Sequence, residues 1–197
     1  LAFLQRHRDW IDQRRQQAQR NARPVEPFPP QQLKLSAIGQ QWRVHLAGGR
    51  GAVRAQPVSD GMLAICGSGD VPAQRDALLR WLYAHAHVEL GLRLTHLAGE
   101  TEYQFARLQI RRQRSRWGSC STRGTISLNC ALLFQRPEVL RYLLVHELVH
   151  TRHMNHSRRY WAAVAQVEPD YLQLDRELVA GWTRVPTWLL ALPGELK

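Results

Sequence analysis

Cysteine is scarce in this chain: Cys66, Cys120 and Cys130 are the three, and no two form a C-x-x-C pair. An odd, scattered set excludes a disulfide framework and a thiolate-built structural metal site, and points to a reducing cytoplasm. Lysine is scarcer still, at Lys34 and Lys197, so nearly all of the positive charge behind the formal +11 is arginine. No apolar run reaches the ~18 residues of a membrane span, which excludes a transmembrane helix. Leu1 to Asn21 is polar and arginine-rich, so it is no signal peptide; the chain opens on Leu rather than Met, and the true start is expected to be missing or removed. Gly48-Gly49-Arg50-Gly51 lacks the spacing of a P-loop. Two readings of the arginines stand side by side. One is nonspecific attraction to nucleic acid, whose phosphates suit guanidinium forks; the other is a solvated surface. No nucleic-acid-binding motif favours the first.

What is present is a core and a motif. Hydrophobic residues make up 44% of the chain, enough for one domain with an appendage. Within it lies His146-Glu147-Leu148-Val149-His150, set in an otherwise apolar stretch from Leu143 to Val149. Buried polar groups without partners cost several kcal/mol, of the order of 2–7, so something must satisfy these three. Pro137 suits the first turn of a helix and Glu138 its positive end, which places the pentapeptide late in a helix. At 100° per residue the two imidazoles lie about 40° apart on one face and converge on one ion, with Glu147 flanking it. H-E-x-x-H on a helix is the arrangement of a zinc hydrolase, two histidine ligands and a carboxylate general base. The competing reading is a pair of hydrogen-bonded core histidines.

A catalytic zinc needs a third protein ligand and an open position. Were the helix to continue, His153 would sit about 10.5 Å along the axis from His146, too far to share the ion. Met154-Asn155 offers an exit in the left-handed conformation, and His156 lies on the resulting turn before Ser157, an N-cap candidate. His156 is therefore the expected third ligand, with His153 facing solvent or supporting from outside.

These residues, followed by Asn155-His156-Ser157 and Tyr160-Trp161, resemble the signature of the YgjP-like metallopeptidase domain, a family related to the SprT and WLM-type zinc proteases. Arg116-Trp117-Gly118-Ser119-Cys120-Ser121, Ile126-Ser127-Leu128-Asn129 and Pro169-Asp170-Tyr171 resemble its other signatures. The resemblance covers about Phe105 to Tyr171. It implies an α+β class and a small gluzincin-like metallopeptidase fold, an antiparallel or mixed sheet packed on a helical core that carries H-E-x-x-H. It further implies zinc on His146, His150 and His156, with Glu147 as catalytic base. Tyr160 stands where the family pattern expects Phe, and His153 is an extra imidazole; Tyr160 as an oxyanion donor stays open beside its packing role. Family members carry a small sheet ahead of a helix resembling Phe3 to Ile11, and this chain is expected to lack those first strands.

Taken in order, residues 1–23 read as a peripheral helix, 24–32 as a proline-rich linker, 33–182 as the metallopeptidase domain and 183–197 as a tail. Short strands are expected between Leu33 and Cys66, with His45 exposed on one of them. A helix from Asp70 should stop at Gly91, leaving His96 in a loop, while His85 and His87 face different ways. Ala106, Leu108 and Ile110 mark a strand that ends in the basic run Arg111, Arg112, Arg114 and Arg116. The strand of Ile126, Leu128 and Cys130, just before the metal helix, is the expected cleft edge for strand addition. Tyr160, Trp161 and Val164 should pack on the metal helix. Cys120 is a small buried side chain or an inhibitory fourth ligand, and Asp175 or Glu177 could orient a zinc histidine.

The expected activity is hydrolysis of peptide bonds by zinc-activated water, with Glu147 as base, on peptide or protein substrates, DNA-associated proteins being one candidate class. Two alternatives remain: a metal-dependent nucleoside triphosphate (pyrophosphate) hydrolase whose arginines hold phosphates, and a nucleic-acid-binding module with structural zinc.

Overall fold

The computed structural model describes Pro24 and residues 26–190, so the expected N-terminal helix lies outside the described residues. Leu33 and Leu35 alternate with polar neighbours and bury their side chains completely, which fixes β1 (Gln32–Leu35). It pairs antiparallel with β2 (Gln40–Gly48). Next come β3 (Arg54–Ser59) and β4 (Met62–Cys66), joined by Asp60-Gly61, with Gly61 at a positive φ of 68°. A two-residue Asp-Gly loop of that kind closes a tight hairpin. The sheet order is β1-β2-β4-β3, with β2 and β4 parallel. β3 holds Pro57, which an edge strand tolerates because its outward N–H is not needed.

The first described helix, α1, spans Val71–Thr101, capped by the Asp70 carboxylate on the Ala73 amide at 3.0 Å. It does not stop at Gly91. A glycine inside a helix costs roughly 1 kcal/mol but does not end it, and the residues beyond it include buried Leu94 and Leu97. Its missing side chain serves close packing: a Cβ there would lie 3.3 Å from Leu108 Cδ2. The helix ends instead at Glu102, in the left-handed region at φ 57°. His96 is thus helical and pairs with Glu100 at 3.0 Å, while His85 stacks on Trp81 and His87 is exposed. His45 is exposed on β2, as its strand phase predicts.

A second sheet follows, β5 (Arg107–Arg111), β6 (Gly118–Cys120) and β7 (Thr125–Asn129), in the order β5-β7-β6. β7 is parallel to β5 and antiparallel to β6, so both of its edges are paired. This overturns the expectation that β7 lines the cleft. The turn at residues 121–124 folds β6 back over β7's outer side, so the sheet's edges are β5 and β6, and β6 is the edge that lies against Glu147.

After a 3-10 turn at Cys130–Phe134 come α2 (Pro137–Val149), α3 (Arg158–Val167) and α4 (Tyr171–Ala180). A further 3-10 turn, Gly181–Arg184, leads to the short α5 (Thr187–Leu190). One apolar core joins Leu82, Leu90 and Leu94 of α1 to Ile126 and Leu128 of β7 and to Leu143 and Leu148 of α2. Val185, Trp188 and Leu189, in the stretch expected to be a tail, are buried in the same core. Among the described residues, no helix is long and apolar enough to cross a membrane.

Candidate metal centre

Helix α2 starts as its sequence predicts, with Pro137 in the first turn and Glu138 beside it. It finishes through tight turns, where the Thr151 amide donates to Leu148 O at 2.9 Å and the Arg152 amide to Val149 O at 3.1 Å. The expected left-handed Asn155 is not used: among the described residues Glu102 alone has a positive φ outside glycine. The chain turns back all the same, and Ser157 caps α3 by accepting from the Tyr160 amide at 3.4 Å.

The turn brings His156 to the two helical imidazoles. The three Nε2 atoms form a triangle with sides of 3.3 Å (His146–His150), 3.1 Å (His150–His156) and 3.3 Å (His156–His146). A tetrahedron of nitrogens at zinc distances of about 2.0–2.1 Å has edges of about 3.3 Å. The hydrogen bonds on the far nitrogens of His146 and His150 leave their Nε2 lone pairs free for a cation. His150 Nδ1 donates to the His153 carbonyl at 3.0 Å, which leaves Nε2 a bare lone pair. Tyr142 Oη donates to Asp175 Oδ1 at 2.7 Å and therefore accepts from His146 Nδ1 at 3.4 Å, which bares that Nε2 as well. Hydrogen bonding on the far nitrogen is how metal-binding imidazoles are held in the ligating tautomer. Burial, with His150 and His156 behind it, pushes His146 down to about 3. His150 is lowered too, by burial against the opposing pull of the His153 carbonyl. Both are neutral at pH 7, the state a metal requires.

Glu147 is buried, and its Oε2 has no hydrogen-bond partner. Desolvation pushes it up to about 8. It lies against Gly118 of β6, where any Cβ would overlap the carboxylate. The loop ahead of β6 is pinned by Asn129, whose Nδ2 donates to Gln113 O at 2.6 Å and to Arg116 O at 2.9 Å. Trp117 stacks on Trp182 with centroids 4.0 Å apart.

The sequence-predicted residues separate cleanly. His146, His150 and His156 come together, and they are the cluster of metal-ligating groups among the described residues. His153 stays outside it and contributes its carbonyl. Cys120 also stays outside; burial, and Glu147 next, push its thiol up to about 11. Glu177 pairs with Arg136 and Arg184 at 2.9 Å each, so Asp175 is the acid that serves a histidine, through Tyr142. Tyr160 is fully buried and its hydroxyl donates to His146 O at 3.1 Å, which removes it as an oxyanion donor. Its ring lies 4.5, 4.7 and 5.4 Å from those of His150, His156 and His146, a floor under the triangle. Trp161 was expected in the core. It is half-buried and stacks between His156 (5.4 Å) and Tyr171 (5.2 Å), steadying the third imidazole. Tyr142 was missed, although it stands one turn ahead of His146, where helical spacing brings side chains together.

The family model of the YgjP-like metallopeptidase domain matches residues 1–180. The chain belongs to the YgjP-like metallopeptidase family. It is accordingly a metal-dependent peptidase with an α+β fold. No curated protein matches this YgjP-like chain. Among solved structures it is similar to the metallopeptidase zymogen abylysin of Pyrococcus abyssi, at 26% identity over 49% of this chain and 97% of that one, with a TM-score of 0.44. It is also similar to the metallopeptidase zymogen jannalysin of Methanocaldococcus jannaschii, at 16% identity over 48% and 97%, with a TM-score of 0.41.

Proposed function

We propose that this YgjP-like peptidase is a zinc enzyme in which His146, His150 and His156 hold the metal and Glu147 is the general base. The observation that carries the reading is the Nε2 triangle of 3.1–3.3 Å, with both far nitrogens of His146 and His150 committed elsewhere. Zinc, when bound, supplies a Lewis acid and a water acidified toward a pKa of about 7. Glu147 takes a proton from the attacking water and passes it to the leaving amine. A carboxylate whose pKa is lifted toward neutrality by burial is suited to both transfers. The substrate lies along the free edge of β6, whose backbone N–H and C=O groups an extended peptide can pair.

Among the described residues, three imidazoles and no fourth protein ligand argue against a closed structural zinc. The all-nitrogen set also argues against a phosphate hydrolase built on oxygen-ligated magnesium. Free thiols at Cys66, Cys120 and Cys130 suit a cytoplasmic setting.

The test is a set of three variants. Glu147→Gln should keep its zinc by metal analysis and lose roughly a hundredfold or more in peptide turnover; an unchanged rate removes the base assignment. His156→Ala should lose zinc while His153→Ala retains it, and the reverse order removes the ligand assignment.

A further inference from the structure

The net charge of the chain is confined to two stretches. Residues 24–103 carry seven basic and seven acidic side chains, and residues 138–197 again carry seven of each. Residues 1–23 carry six basic and two acidic. Residues 104–137 carry seven arginines and no acid at all, and this stretch contains the whole of the β5-β7-β6 sheet.

Outside it, Arg93 pairs with Glu89, Arg141 with Glu100 and Glu168, and Arg184 with Glu177. Within the basic stretch Arg136 is paired, with Glu138 and Glu177. The other six are Arg107, Arg111, Arg112, Arg114, Arg116 and Arg123. Among the described residues none of them makes an ion pair, and all but half-buried Arg112 are exposed.

Three of these arginines bracket the edge strand. Arg114 and Arg116 precede Gly118–Cys120, and Arg123 follows it on the turn. The strand itself is uncharged. Its middle therefore offers backbone groups, and its two ends offer guanidinium forks. Resting on the peptidase reading above, we infer that the cleft selects acidic peptide segments, with Asp or Glu a few residues to either side of the stretch paired to β6. An extended chain rises about 3.3 Å per residue, so side chains two to four positions out fall level with the flanking arginines. A guanidinium meets a carboxylate with two parallel hydrogen bonds, which favours Asp and Glu over their amides. A peptide is favoured over nucleic acid because the arginines border an unpaired strand edge, which a second peptide backbone completes and a phosphodiester does not.

The experiment uses the full-length, zinc-loaded Glu147→Gln protein and fluorescent peptides with one neutral centre, flanked by Glu in one and Gln in the other. Anisotropy should show the Glu peptide binding about tenfold tighter at low salt, with the advantage shrinking as salt rises. The double variant Arg114→Gln/Arg123→Gln should equalise the two while leaving zinc content and affinity for the Gln peptide unchanged. Equal affinities in the parent overturn the inference. So does a DNA duplex that displaces the Glu peptide at lower concentration than the peptide's own competitor, which would assign the arginines to nucleic acid. Wild-type protein then separates the two ideas. A Glu preference in binding with neither peptide cut upholds the selectivity and removes the peptidase reading. Both cut with the same kcat/KM removes the selectivity and upholds the peptidase.

Discussion

Burying Glu147 takes its carboxylate out of water and gives Oε2 no donor, so the fold resists its ionisation. The ordinary value of 4.5 rises to about 8 in the metal-free protein. Between those values the unfolded chain releases a proton that the folded chain keeps. Stability therefore falls as pH rises through that window. His146 works the other way: held neutral down to about 3, it costs stability as pH falls below 6.5. Metal-free Glu147→Gln should melt about 10 °C above wild type at pH 8, and the gap should close near pH 4.5. Adding zinc at pH 8 should narrow it, because a nearby cation favours the carboxylate. A metal-free gap that does not depend on pH would mean the carboxylate is not starved of solvent. At this scale the clustering of His146, His150 and His156 was readable, because one helical turn and one bend are local geometry. The choice between Asp175 and Glu177 and the parts played by Tyr142 and Trp161 were not readable, because they depend on how α2, α3 and α4 cross.

The pairing of strands is a matter of elements, and here sequence order misleads. β7 comes last before the metal helix yet sits in the middle of its sheet, because the turn at residues 121–124 throws β6 to the outside. Alternation of side chains locates a strand but says nothing about its neighbours. Gly91 misleads in a similar way. It has the look of a helix stop, and its function is to admit Leu108. Gly118 carries the sharpest consequence. Its backbone runs so close to Glu147 that a methyl group would displace the carboxylate, the mobile end of a side chain, before it displaced either element. Gly118→Ala should therefore fold and bind metal normally and lose at least tenfold in kcat. Wild-type turnover in that variant would show that the carboxylate needs no fixed position.

Across the whole molecule, the last described helix belongs to the core. Trp188 is fully buried; its carbonyl accepts from Arg75 Nε at 3.1 Å and its ring packs at 6.2 Å from Phe28. Trp188→Ala should cost about 3–5 kcal/mol of stability, read as a lower Tm with zinc stoichiometry intact in the folded fraction. A Tm within a degree of wild type would make the segment the tail its composition suggests. Two prolines gave it that look, since composition does not reveal that one indole is buried in the core.

The Glu26 amide also donates to Thr187 Oγ1 at 2.9 Å, so residues from opposite ends of the described chain are hydrogen-bonded to each other. A version trimmed to residues 26–190 would have its ends close together, and a short bridge there with a new opening at an exposed turn, such as the one beside Arg123, would part no strand from its partner. For that trimmed chain the order of synthesis would be separable from the shape it takes.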